Sequence, residues 1–395
     1  MNRLFLYFVM LFALSTAAFA QNQTLFLDTN YDIALAQSKK ENKPIALLFY
    51  AKWCSHCKKM KEEIFIDADV IKLFSTSYIC VAVDAESTDG TTLKNKLQSK
   101  FLVKSYPTFA FIDSNENLLY CISGEFKKDA FILEGTKALV AENQFNVVKD
   151  KFDADNSNAE NCLRYIIVTR KAGFDATSIT QKYLKTKSEA ELFTELNWKI
   201  IANGINNIDA KEVPFIVAKK EEFAKVVTLS RIEKKLIYMV SDNLKPLADL
   251  GDTLHYNKKR PIAASFQIRK VDSLLFRYDL TINEYSQNWK NYKKTAESSV
   301  DKFAWKDSNA LVDISNNYLA HLDDKKSLDL AISWAKQALT LGESLDKYIL
   351  IVNLYAKEKD YTNAMLYANN AKTVATNFGW KSEELDKLLV TLKKH

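Results

Sequence analysis

The sequence predicts an α/β domain, with a central sheet covered by helices on both faces, followed by an all-α region. Three observations point there. Short apolar runs bounded by polar turns alternate with helical patterns up to about residue 142. Beyond residue 143 the strand signals fade, and the end of the chain repeats itself at a spacing suited to paired helices.

The chain has 395 residues, 47% of them hydrophobic and 26% charged, enough apolar material for ordinary cores in two or three domains and too much for a disordered protein. Residues 1–20 begin with Arg3, run through an apolar stretch from Leu4 to Leu14 and end in Ala18-Phe19-Ala20, the small-x-small pattern of a cleavable signal peptide. The mature chain is therefore expected to start near Gln21. The apolar core of that leader is short for a membrane span, and no later stretch is long and apolar enough for one. The expected organisation is a signal peptide over 1–20, the α/β domain over 21–142, a helical region over 143–255 and helical hairpins over 256–395.

Within the α/β domain, Tyr31 to Glu41 reads as a helix capped by Asn30, with Ile33, Ala36 and Gln37 at helical spacing. Pro44 opens a buried strand, Ile45 to Tyr50. The segment Trp53-Cys54-Ser55-His56-Cys57 then starts a helix in which Met60 and Ile64 share a face. Asp67 caps the next helix, with Val70, Leu73 and Phe74 at i, i+3 and i+4. Tyr78 to Asp84 is a strand, Ala85 to Thr92 a polar loop and Leu93 to Phe101 a short helix. The strands Thr108 to Asp113 and Leu118 to Ile122 are joined by Ser114-Asn115-Glu116-Asn117, as in a hairpin, and Gly124 closes that run. Asp129 to Glu142 is the last amphipathic helix of the domain.

Further on, Trp198 to Ile205 and Phe215 to Val227 are the clearest helical segments. Ala331, Trp334, Ala335 and Ala338 recur 33 residues later as Ala364, Tyr367, Ala368 and Ala371. Asn317-Tyr318-Leu319-Ala320 echoes Asn353-Leu354-Tyr355-Ala356, with the loop His321 to Ser327 read as slightly longer. Small residues every three or four positions let paired helices pack closely, so two helical hairpins are expected, with a period similar to that of tetratricopeptide repeats. Asn288-Trp289-Lys290-Asn291-Tyr292 reads at most as a degenerate earlier unit.

The 55 basic residues exceed the 49 acidic ones by a small, scattered margin. Lys325-Lys326 and Lys393-Lys394 read as solvated faces, and without a recognition motif nucleic acid is not an expected partner. Five cysteines is an odd count for an exported chain, which fits one redox pair plus bystanders better than a disulfide framework. Cys80 and Cys121 lie in apolar strand-like runs and Cys162 in a helical stretch, each as a small buried hydrophobe. A zinc site needs further ligands, yet there is no second close cysteine pair and there are four histidines in all, so neither metal nor cofactor is expected.

Cys54 and Cys57 directly follow an apolar strand and open a helix. Two intervening residues let both sulfurs reach disulfide geometry, and the unpaired N–H groups of a first helical turn favour a thiolate. This motif, together with Ser105-Tyr106-Pro107-Thr108, resembles the thioredoxin family. Lys43-Pro44 through Lys58-Lys59-Met60 to Phe65 is most similar to the thioredoxin-like domains related to the C-terminal domain of the transmembrane disulfide reductase DsbD. The resemblance covers about residues 25–142, and the layout of an exported thioredoxin domain with a helical tail resembles a group of thioredoxin-like proteins from Bacteroidetes. It implies a thioredoxin fold, with Pro107 as a cis-proline facing the redox pair. A proline at the start of a central strand loses a ladder hydrogen bond and needs such a reason. The backbone at Tyr106 is then the edge on which an extended substrate segment docks beside Cys54, with Trp53 shielding one side of the pair.

In thiol–disulfide exchange Cys54 is expected to attack and Cys57 to resolve. A helix terminus can lower such a thiol from about 8.5 to between about 3.5 and 7.5, and Lys52 adds positive charge nearby. By resemblance to the CxHC pairs of disulfide isomerases and DsbA, His56 stabilises the reduced form and makes the disulfide more oxidising, where thioredoxin itself has proline. One departure stands out. Thioredoxins place a buried acid six residues before the first cysteine, and this chain has Leu48 there, which leaves proton transfer to His56 or to water. The expected protein is an exported, periplasmic thiol–disulfide oxidoreductase. It acts on cysteine-containing exported proteins, a membrane redox partner restores its pair, and its helical tail recruits a protein partner or self-associates. The alternative is a helical-repeat binding or assembly protein in which the redox pair is vestigial or structural.

Overall fold

Strand β1 (Ile45–Tyr50) is buried along nearly its whole length, because it lies between two other strands and carries helices on both faces. The computed structural model describes residues 25–28 and 30–394; the leader and the mature start expected near Gln21 lie outside the described residues. Strand order is β2-β1-β3-β4, with β2 (Ile79–Asp84) parallel to β1, β3 (Thr108–Ile112) antiparallel to β1 and β4 (Leu118–Ser123) antiparallel to β3. Five helices accompany the sheet: α1 (Tyr31–Glu41), α2 (Ser55–Lys59), α3 (Ala68–Ser77), α4 (Thr88–Leu97) and α5 (Lys128–Leu139). Helix α2 runs on as a π-turn over Met60–Ile64.

Alternation along β1 divides the core. Ile45, Leu47 and Phe49 pack with Tyr31 and Ala34 of α1 and Leu93 and Leu97 of α4, whereas Ala46 and Leu48 face Phe65, Val70, Phe74 and Phe131. Phe131 of α5 is the hub of the second face: its ring stacks on Phe74 at 4.6 Å and lies 4.9 Å from Phe109 and 5.8 Å from Phe65. Gly135, one turn on, leaves room for the Phe74 ring, which a Cβ there would approach to 2.8 Å.

The structure departs from the sequence reading at several boundaries. Helix α4 begins at Thr88, inside the segment expected to be a loop, because the Ser87 hydroxyl accepts the Gly90 N–H at 3.0 Å and Gly90 packs directly on the Asp84 carbonyl. Helix α5 ends at Leu139, and Ala141–Asn143 is a 3₁₀ turn. The segment expected as one helix from Phe215 to Val227 is two short ones, Val213–Ala218 and Lys220–Ala224. Leu27, for which the sequence carried no reading, bridges Val81 in parallel and so extends the β2 edge.

The described residues form two compact units. The first runs to Asn206 and includes Lys219–Thr228; the second comprises Asn207–Ala218 and the residues from Leu229 onward. In the first unit, helices Phe145–Ala154 and Ala159–Lys171 pack against the β4 edge. Lys171 reaches back to Glu134 of α5 at 2.6 Å and to the Tyr120 hydroxyl, and the Leu102 N–H donates to the Ala172 carbonyl at 2.8 Å. Burial works against ionisation of Glu134, but Lys137, Lys171 and the Tyr120 hydroxyl outweigh it and hold the carboxyl down at about 2.

The second unit is all helical. Four of its helices, Thr253–Ala264, Trp289–Phe303, Lys325–Thr340 and Tyr361–Phe378, are capped by Asp252, Asn288, Asp324 and Asp360, at intervals of 36 residues. The paired-helix pattern therefore extends back beyond the two hairpins read from sequence, and Asn288 caps one of its members. The 33-residue match between the alanine sets is slipped by three residues against the caps. Since a helical turn is 3.6 residues, such a slip keeps the small residues on nearly the same face. Ala331, Ala335, Ala338, Ala364, Ala368 and Ala371 are all fully buried.

Phe131→Ala is expected to destabilise the first unit by about 3–5 kcal/mol in denaturant unfolding. Leu133→Ala, on the exposed side of the same helix, should stay within about 0.5 kcal/mol. Similar costs for the two would show that Phe131 is not the hub of the core.

Candidate active site

Strand β1 ends at Tyr50, and the chain turns through Ala51 into α2 with Cys54 at its N-cap. The Cys54 sulfur accepts the Cys57 N–H at 3.2 Å, and the Cys54 N–H donates to the Ala51 carbonyl at 3.1 Å, so the backbone holds the first cysteine in place from both sides. The two sulfurs are 2.6 Å apart, a short move from the roughly 2.05 Å of a disulfide bond. Both residues are buried, Cys54 at 4% and Cys57 at 7% exposure, and they pack with Ala51, Tyr50 and Tyr106.

Opposite them, β1 pairs with β3 so that Phe49 lies across from Thr108, which brings the residues before Thr108 beside the start of α2. The Tyr106–Pro107 bond is cis, and the Tyr106 carbonyl is 3.7 Å from the Cys54 sulfur. Trp53 is 68% exposed; its Nε1–H donates to Glu86 at 2.8 Å and its ring meets Tyr106 edge-on at 6.1 Å. Trp53, Cys54, His56, Val103, Lys104 and Tyr106 line an open groove of about 350 Å³. The residues singled out from sequence, Cys54, Cys57, His56, Trp53, Tyr106 and Pro107, are thus gathered at one end of the sheet.

Behind Cys57 lies a second, partly enclosed cavity of about 270 Å³, reached by Leu48, Ala82, Phe65 and Pro107, with Asp28 and Tyr50 also on its wall. Burial, reinforced by the contact with Cys54, pushes the Cys57 thiol up to about 12. No acid occupies position 48 to take its proton. Burial likewise pushes Cys80, Cys121 and Cys162 up to about 12. Among the described residues no cluster of His, Cys, Asp and Glu has the form of a metal site.

Sequence reasoning missed Glu125. Its carboxylate lies 2.6 Å from His56 Nδ1 and 2.5 Å from Lys59 Nζ, and Lys59 first, then His56, holds it below the usual carboxylate range. No local pattern marks it in the sequence; it follows Gly124 at the end of β4, and only the pairing of β4 with β3 brings it to the site.

A four-stranded sheet with a dithiol at the N-terminus of a helix and a cis-proline facing it defines a thioredoxin-like domain. Residues 31–137 match the family described as thioredoxin-like domain. Protein disulfide-isomerase 1 of Dictyostelium discoideum is 32% identical over 113 residues, which is 28% of this chain and 29% of that protein. Thioredoxin-1 of Drosophila yakuba is 30% identical over 78 residues, 20% of this chain and 64% of that protein. A solved structure described as DsbH oxidoreductase is 23% identical, covers 29% of this chain and 84% of its own, and has a TM-score of 0.26. The match thus spans under a third of the Dictyostelium protein, and the similarity is that of one domain.

Two outcomes follow from the buried thiols and the cavity. The reduced protein holds thiol protons that an unfolded chain releases from about pH 8.5, so their stabilisation is complete below that pH and is lost progressively toward pH 12. Denaturant midpoints should fall between pH 7.5 and pH 10, and a flat or rising profile would contradict the assignment. Leu48→Asp places a carboxylate on the wall of the Cys57 cavity and should speed resolution of a mixed disulfide on Cys54 by about tenfold. An unchanged resolution rate, followed by quenched mass spectrometry, would count against proton transfer as the slow event.

Proposed function

We propose that this chain is an exported thiol–disulfide oxidoreductase whose Cys54 and Cys57 exchange disulfides with cysteine-containing proteins. The observation that carries the reading is the pair itself, with two sulfurs 2.6 Å apart at a helix start beside the Tyr106 carbonyl. In the proposed cycle, the Cys54 thiolate attacks a substrate disulfide to form a mixed disulfide. Cys57 then gives up its proton and attacks Cys54, which releases the substrate thiol and closes the Cys54–Cys57 disulfide. The Cys57 N–H aimed at the Cys54 sulfur and the place of Cys54 on the groove support the first role, and the place of Cys57 on the inner cavity supports the second. The groove formed by Trp53, Tyr106 and the backbone before Pro107 suits an extended peptide segment laid beside Cys54.

Export across the inner membrane to the periplasm rests on the leader pattern of residues 1–20, and no helix among the described residues is long and apolar enough to cross a membrane. A membrane redox partner is the proposed source or sink of electrons, and the paired helices of the second unit are the proposed surface for a protein partner or self-association. His56 favours the oxidising side of the family by resemblance.

The test is equilibration of the protein with glutathione buffers. A reversible Cys54–Cys57 disulfide with a potential of about −180 to −120 mV is expected, alongside isomerases and oxidases. A value near −270 mV would make the protein a reductase despite His56. Failure to form a reversible disulfide would remove the exchange reading and leave the helical surface as the working part.

A further inference from the structure

We infer that Glu125 is a positioning residue of the redox site: it holds His56 in the tautomer whose second ring nitrogen takes the proton of a thiol entering the groove beside Cys54. This rests on the exchange reading above. The hydrogen-bond geometry identifies the tautomer. A carboxylate only accepts hydrogen bonds, so the hydrogen between Glu125 Oε2 and His56 Nδ1, 2.6 Å apart, belongs to the imidazole, and Nε2 of the neutral ring is left as an acceptor. A carboxylate behind an imidazole fixes the ring's orientation and tautomer.

Glu125 is itself held firmly. Gly124 takes φ +108° with open space around it, a conformation that side chains resist, and its N–H donates to the Pro107 carbonyl at 2.8 Å. The turn carrying Glu125 is thereby tied to the cis-proline strand, while its carboxylate bridges to Lys59 and His56 on the opposing helix. The charged groups that bear on the arrangement are Lys59 and, through it, Glu63 on the helix side, and Lys104 on the groove wall beside Cys54 and His56.

The step runs on the oxidised protein. A thiol such as that of glutathione or a peptide cysteine passes its proton to His56 Nε2, and the resulting thiolate, paired with the imidazolium, attacks the Cys54 sulfur. The Cys54–Cys57 bond breaks as the mixed disulfide forms, and its electron pair goes to the Cys57 sulfur, which takes up a proton from water. One S–S bond is exchanged for another, and the imidazolium later returns its proton to solvent. The groove is thus suited to substrates that arrive as neutral thiols.

The full chain in its disulfide form, mixed with excess glutathione and quenched for mixed-disulfide mass spectrometry between pH 6 and 10, tests this. Glu125→Gln should lower the second-order rate about tenfold at pH 6–7.5 and converge with the parent above about pH 9.5, where glutathione ionises unaided. Glu125→Asp should restore most of the loss, and Glu125→Gln added to His56→Asn should cost nothing further. A rate unaffected at every pH, or reduced equally at every pH as a merely structural role predicts, overturns the inference. If the parent itself forms no reversible disulfide, it is the exchange reading that fails.

Discussion

Burial of β1 on both faces is the constraint on which the rest of the molecule depends. A strand flanked by β2 and β3 and covered by α1 and α4 on one side and by the Phe131 cluster on the other cannot shift register without turning Leu47 and Leu48 to the wrong faces. Its far end is therefore a fixed point, and Cys54 lies four residues beyond it. The pairing of Phe49 with Thr108 brings the cis-proline peptide to the same place. Helix start and cis-proline meet because one strand positions both.

The two sulfurs at that point face different surroundings. Cys54 opens onto a groove with an exposed tryptophan, a lysine and a histidine, whereas Cys57 backs onto a cavity walled by Leu48, Ala82 and Phe65. The two residues are almost equally buried, so what distinguishes them is the groove on the Cys54 side and the inner cavity on the Cys57 side. Glu125, tethered on the opposite side of the cleft, connects the exposed histidine to the strand system.

Most of the sheet was legible because each strand is a short apolar run between turn residues, and the site was legible because Cys54, Cys57 and Pro107 are sequence-local signals. The start of α4 was not, since Thr88 to Thr92 is polar and only the capping contact of Ser87 with Gly90 makes it helical. Glu125 was invisible for a different reason: its partners are 69 and 66 residues away, and an isolated glutamate after a glycine carries no local pattern. In the second unit the alanine face misled the spacing by three residues, because helical periodicity tolerates that slip whereas the capping residues do not.

The reach of Lys171 into the sheet has a bearing on modularity. The family match stops at residue 137, and a natural-looking cut after residue 142 would yield a fragment with every redox residue intact. It would also strip the lysine ammonium from a largely buried Glu134, remove the acceptor of the Leu102 N–H and lay bare the β4 edge that the following two helices cover. The domain is thus not a detachable cassette: it leans on its helical neighbour for electrostatic closure.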